Sequence, residues 1–529
     1  MKDKLKTLVA DLPLAADLYW WLRTDHKAGR YEFRYPLEVI VQSVEAANRA
    51  RKSVEGKSLF IFATLDYWIE HISLLGIALA GQGHRVTLAY LPYENWTDPI
   101  SNFDLRRQDL YTRDMLKPAD GLLKIVPLHA IQPVSSLPDP ITNAIEEVSL
   151  FDSQYTLQAE DVDPNHPLRN LRRERNRSAA GSALAYLRKH RPDVVIVPNG
   201  TIQEFGIIYA VSRHLDIPTV TYEFGEQADR AWLAQDAQII KHQTDNLWEA
   251  RKGITLTEDH RQWLRAFFAA RGTVQRGEHF ARLWQNIATL GGQKVRSQLG
   301  LDSRPVVLFT TNVLGDSLTL GRQLLGSSMS EWITKLVQFF ASRTDVQLVI
   351  RIHPGENLTM GPSVTGVIQN ALLELPGHIH LISPQDKVNT YDLMEIAGLG
   401  LVYTTTSGLE MATRGIPVMT AGRTHYRGRG FTIDTATYDE YFSKLDAVLS
   451  DLVAYQLTPE QVELAWNYAY RFFKEFPLPF PWHILHVAED VSKKPMAHAL
   501  SDEGLNLYGE TFRYLAGDPL DWSNIQPVG

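Results

Sequence analysis

Thr404–Glu410 reads TTTSGLE and follows the apolar run LGLVY. Three threonines and a serine in succession, where a strand gives way to a helix, suit an anionic, hydroxylated ligand better than a packed core. The spacing predicts a helix beginning near Ser407. Its first amides lack intrahelical partners, and its dipole is positive at that end. The hydroxyls of Thr405, Thr406 and Ser407 stand beside those amides, and Gly408 leaves room for a ligand near the backbone. Together they form a phosphate cradle of the helix-N-terminus type. Glu410, three residues past Ser407, either closes a capping box with it or accepts hydrogen bonds from a ribose diol. Spacing leaves both open.

Two further stretches carry polar groups at strand ends. In RIHPGE (Arg351–Glu356), Pro354 holds His353 extended, with Arg351 and Glu356 on either side. A lone histidine is often structural, but at a strand tip it can contact a phosphate or leaving group. The loop GRTHYRGRGFTID (Gly422–Asp434) holds Arg427 and Arg429 among glycines, and such basic loops can wrap anions. In the N-terminal half, LDYWIEH carries Asp66, Glu70 and His71, and TYEFGE carries Glu223 and Glu226. A carboxylate there can act as general base once its surroundings tune it. Glu226 is the first choice and Asp66 the second; Glu70 and His71 fall inside a helical pattern and read as structural. The Asp161–Asp163 pair, in a proline-bearing loop, is a weak metal motif, and no metal site is expected.

These residues need elements that present them. From Ser58 the chain alternates buried-strand runs and helical patterns: SLFIFATL, then DYWIEHISLLGIALAGQGH, then RVTLAYLPY. The rhythm resumes at DVVIVPNG and TIQEFGIIYAVSRHLD, and again from Pro305 to Gly422. Repeated β-α-β units imply parallel sheets with crossover helices, and ligands of such sheets bind beyond the carboxyl ends of the strands. The expected architecture is α/β, with two doubly wound Rossmann-type domains facing a central cleft. The expected boundaries are a helical extension at 1–56, an acceptor domain at 57–298, a nucleotide-sugar domain at 299–455, and a helical tail at 456–529 that packs back across both. Leu137–Ala159 reads as an insertion at a sheet edge or an acceptor-side elaboration, and the basic run Arg169–Ser178 as a solvated helix face, with contact to an acidic acceptor or a membrane surface as the alternative.

Composition narrows the classes. The 529 residues are 44% hydrophobic and 22% charged, with a formal net charge of −8, an unpromising balance for neutralising nucleic-acid phosphates. With no cysteine, disulfides, iron–sulfur clusters and thiol nucleophiles are excluded. The N-terminus lacks an uninterrupted apolar core of signal-peptide type, and no run reaches the ~18 apolar residues of a membrane span. A cytoplasmic protein is expected, with peripheral association at the inner membrane face left open.

HPGE, followed by NTYDLMEIAGLGLVYTTTSGLEMATRGIPVMTAGRTHYRGRGFTID, resembles the bacterial capsule polysaccharide biosynthesis family, which includes Kdo transferases of the GT-B fold. The matching positions are His353–Pro354, Thr406–Ser407, Glu410, Gly415–Val418 and Tyr426–Asp434. The chain has Arg429 and Phe431 where the family often has Gly-Trp-Gly-Leu. The resemblance spans Pro305 onward. It implies a metal-independent glycosyltransferase without cofactor. The donor would be a nucleotide sugar, a CMP-linked 2-keto sugar acid such as CMP-Kdo being favoured, and the acceptor a glycan or glycolipid. Alternatives of similar architecture are a nucleotide-sugar 2-epimerase, a polyol-phosphate transferase and a non-catalytic nucleotide-sugar-binding scaffold.

Overall fold

Two sheets organise the computed structural model, which describes residues 14–22, 30–51, 56–272 and 287–524. Parts of the expected extension (1–13, 23–29 and 52–55), of the joining segment (273–286) and of the tail (525–529) lie outside the described residues. The N-terminal sheet holds β1 (Ser58–Thr64), β2 (Arg85–Leu91), β3 (Leu123–Pro127), β4 (Val194–Pro198), β5 (Thr219–Glu223) and β6 (Arg230–Gln235). The C-terminal sheet holds β7 (Val306–Thr310), β8 (Gln347–Arg351), β9 (Ile379–Ile382), β10 (Ala397–Val402), β11 (Val418–Thr420) and β12 (Ile433–Asp434). A last short strand, β13 (Leu478–Pro479), returns to the N-terminal sheet.

The strand orders are β13-β6-β5-β4-β1-β2-β3 and β12-β11-β10-β7-β8-β9. Apart from the antiparallel β5–β6 and β6–β13 pairs, all pairings are parallel. Each sheet therefore starts in the middle, runs outward to one edge, and crosses back. The switch points lie between β1 and β4 and between β7 and β10, where this topology opens a crevice for ligands. The inner strands β4, β7 and β8 are buried at every position, because helices cover both faces. That is why they read as continuous apolar runs rather than alternating ones.

Two expectations need correction here. Leu137–Ala159 is not an edge insertion: it contains the helix Asp139–Leu157, which packs against the helices Pro167–His190 and Gln203–His214. Its C-terminal end also reaches the loop after β7, and the residues that follow reach the helix Met329–Ala341. A Cβ on Gly315, whose φ is +68°, would collide with the carbonyl of Gln154, and the Glu160 carboxylate accepts from the amides of Met329 (2.7 Å) and Ser330 (2.8 Å) at the start of the helix Met329–Ala341. Arg169–Ser178 is solvated on one face only, at Asn170, Glu174, Arg177 and Ser178. Arg172 is fully buried between Asp152 and Glu204. Arg175 is buried too, donating to the carbonyls of Asn95 and Asp98 and lying over the Tyr93 ring. Asp163 accepts the Asn165 amide within a turn.

The chain leaves the C-terminal sheet through the helix Pro459–Tyr470, whose start is closed by a capping box of Thr458 and Gln461. A π-helical turn follows at Arg471–Glu475. Gln227 donates to the Phe473 carbonyl and Arg230 to those of Lys474 and Pro477, which leads β13 onto β6. The helix Asp502–Leu515 then covers that edge, with Thr511 donating to the Pro479 carbonyl and the Tyr514 hydroxyl accepting the Gln235 amide.

Candidate active site

The carboxyl ends of β7, β8 and β10 open onto a cavity of about 400 Å³. Thr310–Asn312 and Asp316 line it from β7, Arg351 and His353 from β8, and Thr405–Ser407 with Glu410 from β10. Asn389–Tyr391 close one side, Arg271 another, and Tyr155 and Gln158 reach in from the bridging segment. The volume falls within the range of small-molecule sites.

Ser407 opens a six-residue helix, Ser407–Ala412. Its hydroxyl exchanges hydrogen bonds with those of Thr310 (2.7 Å) and Thr405 (3.1 Å), so three hydroxyls form one chain along the cavity wall. The capping-box alternative for Glu410 is overturned. The N-cap is Thr406, without a side-chain cap, and the Glu410 carboxylate pairs with Arg271 Nε at 3.2 Å instead. Gly408 also has another reason than the one expected. A Cβ there would collide with the Tyr426 hydroxyl, which donates to the Thr405 carbonyl at 2.6 Å; the glycine admits a tyrosine, and through it fixes the turn.

Arg351 ends β8 and is 2% exposed. Its Nη1 donates to the Ser383 carbonyl at 2.6 Å, while Nε and Nη2 have no hydrogen-bond partner among the described residues. Burial pulls its pKa down to about 10, partly opposed by the field of Asp386. A buried, cationic, underbonded guanidinium on a cavity wall calls for an anion. His353 is extended, as Pro354 dictates, with φ −60° and ψ 124°. Its Nδ1 accepts the Gly355 amide and its own amide donates to Thr311 Oγ1, so the imidazole is oriented by the turn it caps.

Arg271 was invisible in the sequence, one arginine among several in a charged helix, Glu258–Gly272. It reaches Glu226 Oε2 at 3.2 Å, Glu410 Oε1 at 3.2 Å and Thr406 Oγ1 at 3.4 Å. One guanidinium thus joins a carboxylate following β5 to the hydroxyl turn following β10. Glu226 reaches the cavity through this pair and does not itself line it.

Other candidates lie elsewhere. Glu356 turns inward, where its carboxylate accepts the Val364 amide at 3.0 Å and caps the helix Val364–Ala371. Arg427 and Arg429 line a different cavity. Arg427 donates to Thr420 and the Thr435 carbonyl, and Arg429 to Asp245. Asp66 begins the helix Asp66–Gly81 and is absent from the cavity wall; burial raises its pKa to about 6. Glu223 is likewise raised by burial, to about 7, against the Phe224 amide that it accepts. Glu70 forms an ion pair with Arg34, and His71 shares hydrogen bonds with the Tyr222 hydroxyl and the Trp482 carbonyl; both hold the fold together.

Two Rossmann-ordered sheets, with a ligand-sized cavity beyond the strand ends of the C-terminal one, define a GT-B-like fold. Residues 272–458, about a third of the chain, match the family described as capsule polysaccharide biosynthesis protein. Among solved structures, the chain is similar to the Thermosulfurimonas dismutans KpsC beta Kdo 2,4 transferase, at 14% identity over 55% of this chain and 82% of that one, with a TM-score of 0.36. It is also similar to UDP-GlcNAc 2-epimerase from Neisseria meningitidis, at 13% identity over 79% and 99%, with a TM-score of 0.26. A third is Acinetobacter baumannii MurG, at 14% identity over 83% and 99%, with a TM-score of 0.25. No curated protein matches.

Proposed function

We propose that the chain is a glycosyltransferase of surface polysaccharide assembly, moving a sugar from a nucleotide-sugar donor to a glycan or glycolipid acceptor. A CMP-linked 2-keto sugar acid, such as CMP-Kdo, is the favoured donor. The observation that carries this reading is Arg351, whose Nε and Nη2 lack partners on a wall shared with the Ser407 hydroxyl chain and Glu410. In this reading the C-terminal sheet binds the donor and the N-terminal sheet the acceptor. The donor phosphate takes the free donors of Arg351 and the hydroxyls of Thr405, Thr406 and Ser407, and the ribose diol donates to Glu410.

Arg271 gives the reaction a sequence of events. A donor phosphate competes with Glu226 for this guanidinium, and its arrival releases the Glu226 carboxylate toward the acceptor. Glu226 takes the proton of the acceptor hydroxyl as that oxygen bonds to the anomeric carbon. The bond from that carbon to the phosphate oxygen breaks, and the nucleotide leaves with the electron pair. Guanidinium and hydroxyl donors, rather than a metal ion, meet the charge on the leaving phosphate. Asp66, with its raised pKa, is the second candidate base. Among the described residues no helix is long and apolar enough to cross a membrane, and the reading places the enzyme in the cytoplasm, with peripheral contact at the inner membrane face.

The test is a binding and turnover panel of CMP-, UDP-, GDP- and dTDP-sugars. Thermal stabilisation by a CMP-sugar, with nucleotide release that requires an acceptor, supports the reading. Conversion of free donor without acceptor, followed by NMR, would identify an epimerase instead. Stabilisation by none of the four would end the nucleotide-sugar assignment.

A further inference from the structure

We propose that a second cavity, between Lys241–Asp245, Gly321–Gln323 and Arg423–Arg429, is an anion site for a phosphoryl group, either carried on a sugar or free as pyrophosphate. The cavity measures about 460 Å³ and shares no lining residue with the first. The loop after β7 runs between them: Thr311 and Asp316 face the first, Gly321 and Arg322 the second. The proposal is independent of the reaction assigned to the first cavity.

Charge and unmet hydrogen bonds both point to this ligand. Lys241, Arg322, Arg423, Arg427 and Arg429 line the cavity; Arg427 pairs with Asp434 at 3.5 Å and Arg429 with Asp245 at 2.8 Å, which leaves Lys241, Arg322 and Arg423 without an ion-paired carboxylate among the described residues. Arg322 is 4% exposed and donates to the carbonyls of Ile240 and Arg423; among the described residues no carboxylate pairs with it. Among the described residues, Thr424 Oγ1, His425 Nε2, Arg429 Nε and both ring nitrogens of His242 are buried without hydrogen-bond partners. Each such atom is costly to bury, and their collection around one cavity argues for a ligand that meets them. Burial holds both histidines well below their ordinary pKa, so the neutral His242 ring offers one N–H and one acceptor nitrogen, while His425 Nδ1 is already engaged with the Tyr468 hydroxyl. Like-charged guanidinium groups crowded together need more than the single charge of a carboxylate ligand. A phosphoryl group brings that charge and matches the planar donor fork of arginine.

The test is isothermal titration of the full chain with inorganic pyrophosphate and with glucose 1-phosphate. Lys241 and Arg423 are exposed, so the double variant Lys241→Ala/Arg423→Ala is expected to fold, which its thermal melt checks. Wild type should show two classes of pyrophosphate site. The double variant should weaken one class about tenfold or more while retaining the other, the loss expected for about one charge-assisted hydrogen bond; Arg351→Gln should do the reverse. Glucose 1-phosphate binding that the double variant loses would identify the sugar-linked form, and binding of pyrophosphate alone the free form. Double-variant binding equal to wild type, or loss of all binding in Arg351→Gln, would overturn the proposal, because the phosphoryl group would then sit in the first cavity only.

Discussion

Arg351 shows what a single residue can reveal about an absent partner. Its unmet Nε and Nη2 lie where the side chain is almost wholly enclosed, and a hydrogen bond from a charged group is worth about 1.5–3 kcal/mol. Arg351→Gln should therefore weaken nucleotide binding by roughly ten- to a hundredfold in isothermal titration, with no fall in the melting temperature of the free protein. Ser407→Ala combined with Thr406→Val should weaken the same binding by about tenfold; unchanged affinity would reduce these hydroxyls to mutual partners that hold the turn. Glu223 gives a pH prediction. Its folded pKa, about 7, exceeds the unfolded value of about 4.3, so the folded state binds the proton more tightly. Stability is then full below about pH 4 and falls as pH rises toward about 7. Glu223→Gln should match wild type near pH 4 and exceed it at pH 8 by about 1–3 kcal/mol in urea unfolding. Equal values at pH 8 would show that water reaches the carboxylate.

Helices hold the least legible part of this chain. The buried group of Arg172, Asp152 and Glu204 joins three of them, yet the run that holds Arg172 reads as a solvated face, because a charge in a sequence does not tell water from a buried counter-charge. Arg271 escaped for the same reason, and Arg427 and Arg429 line a cavity apart from Arg351 and Ser407, because loop composition gives sign and not direction. Arg172→Met leaves two buried carboxylates unpaired and should cost about 3–5 kcal/mol in chemical denaturation, whereas Arg172→Met/Asp152→Leu/Glu204→Met should recover most of it. Glu160 acts on a single element: it caps the helix Met329–Ala341 from the other side of the molecule. Glu160→Ala should lower the melting temperature by about 2–4 °C in scanning calorimetry. A melt indistinguishable from wild type would show that water replaces the carboxylate at no cost.

At the scale of the molecule the sequence was more informative. Parallel strands covered on both faces must be apolar throughout, so SLFIFAT, VVIVP and VVLFT announced the sheets, and the sheets placed Arg351, His353 and Ser407 at strand ends around one cavity. What they did not announce was β13, two residues long and proline-bearing, too short for any periodicity. It depends on the turn made by Phe473–Pro477 and on the carbonyls that Gln227 and Arg230 capture there. A chain truncated after Glu475 should expose the edge of β6 and aggregate in size-exclusion chromatography; a monodisperse truncated chain would mean that β13 merely decorates the sheet.

The return of β13 also sets a timetable for synthesis. On the ribosome, β6 is complete at Gln235, but its neighbour begins only at Leu478. At about 5–20 residues per second, that interval lasts roughly 12–50 s. Throughout it the N-terminal sheet carries an open flank, and the C-terminal sheet, although made second, has all its strands before the first is closed. The nascent chain must therefore protect β6 by other means during that time, and slow translation between the two points would lengthen its exposure to neighbouring nascent chains.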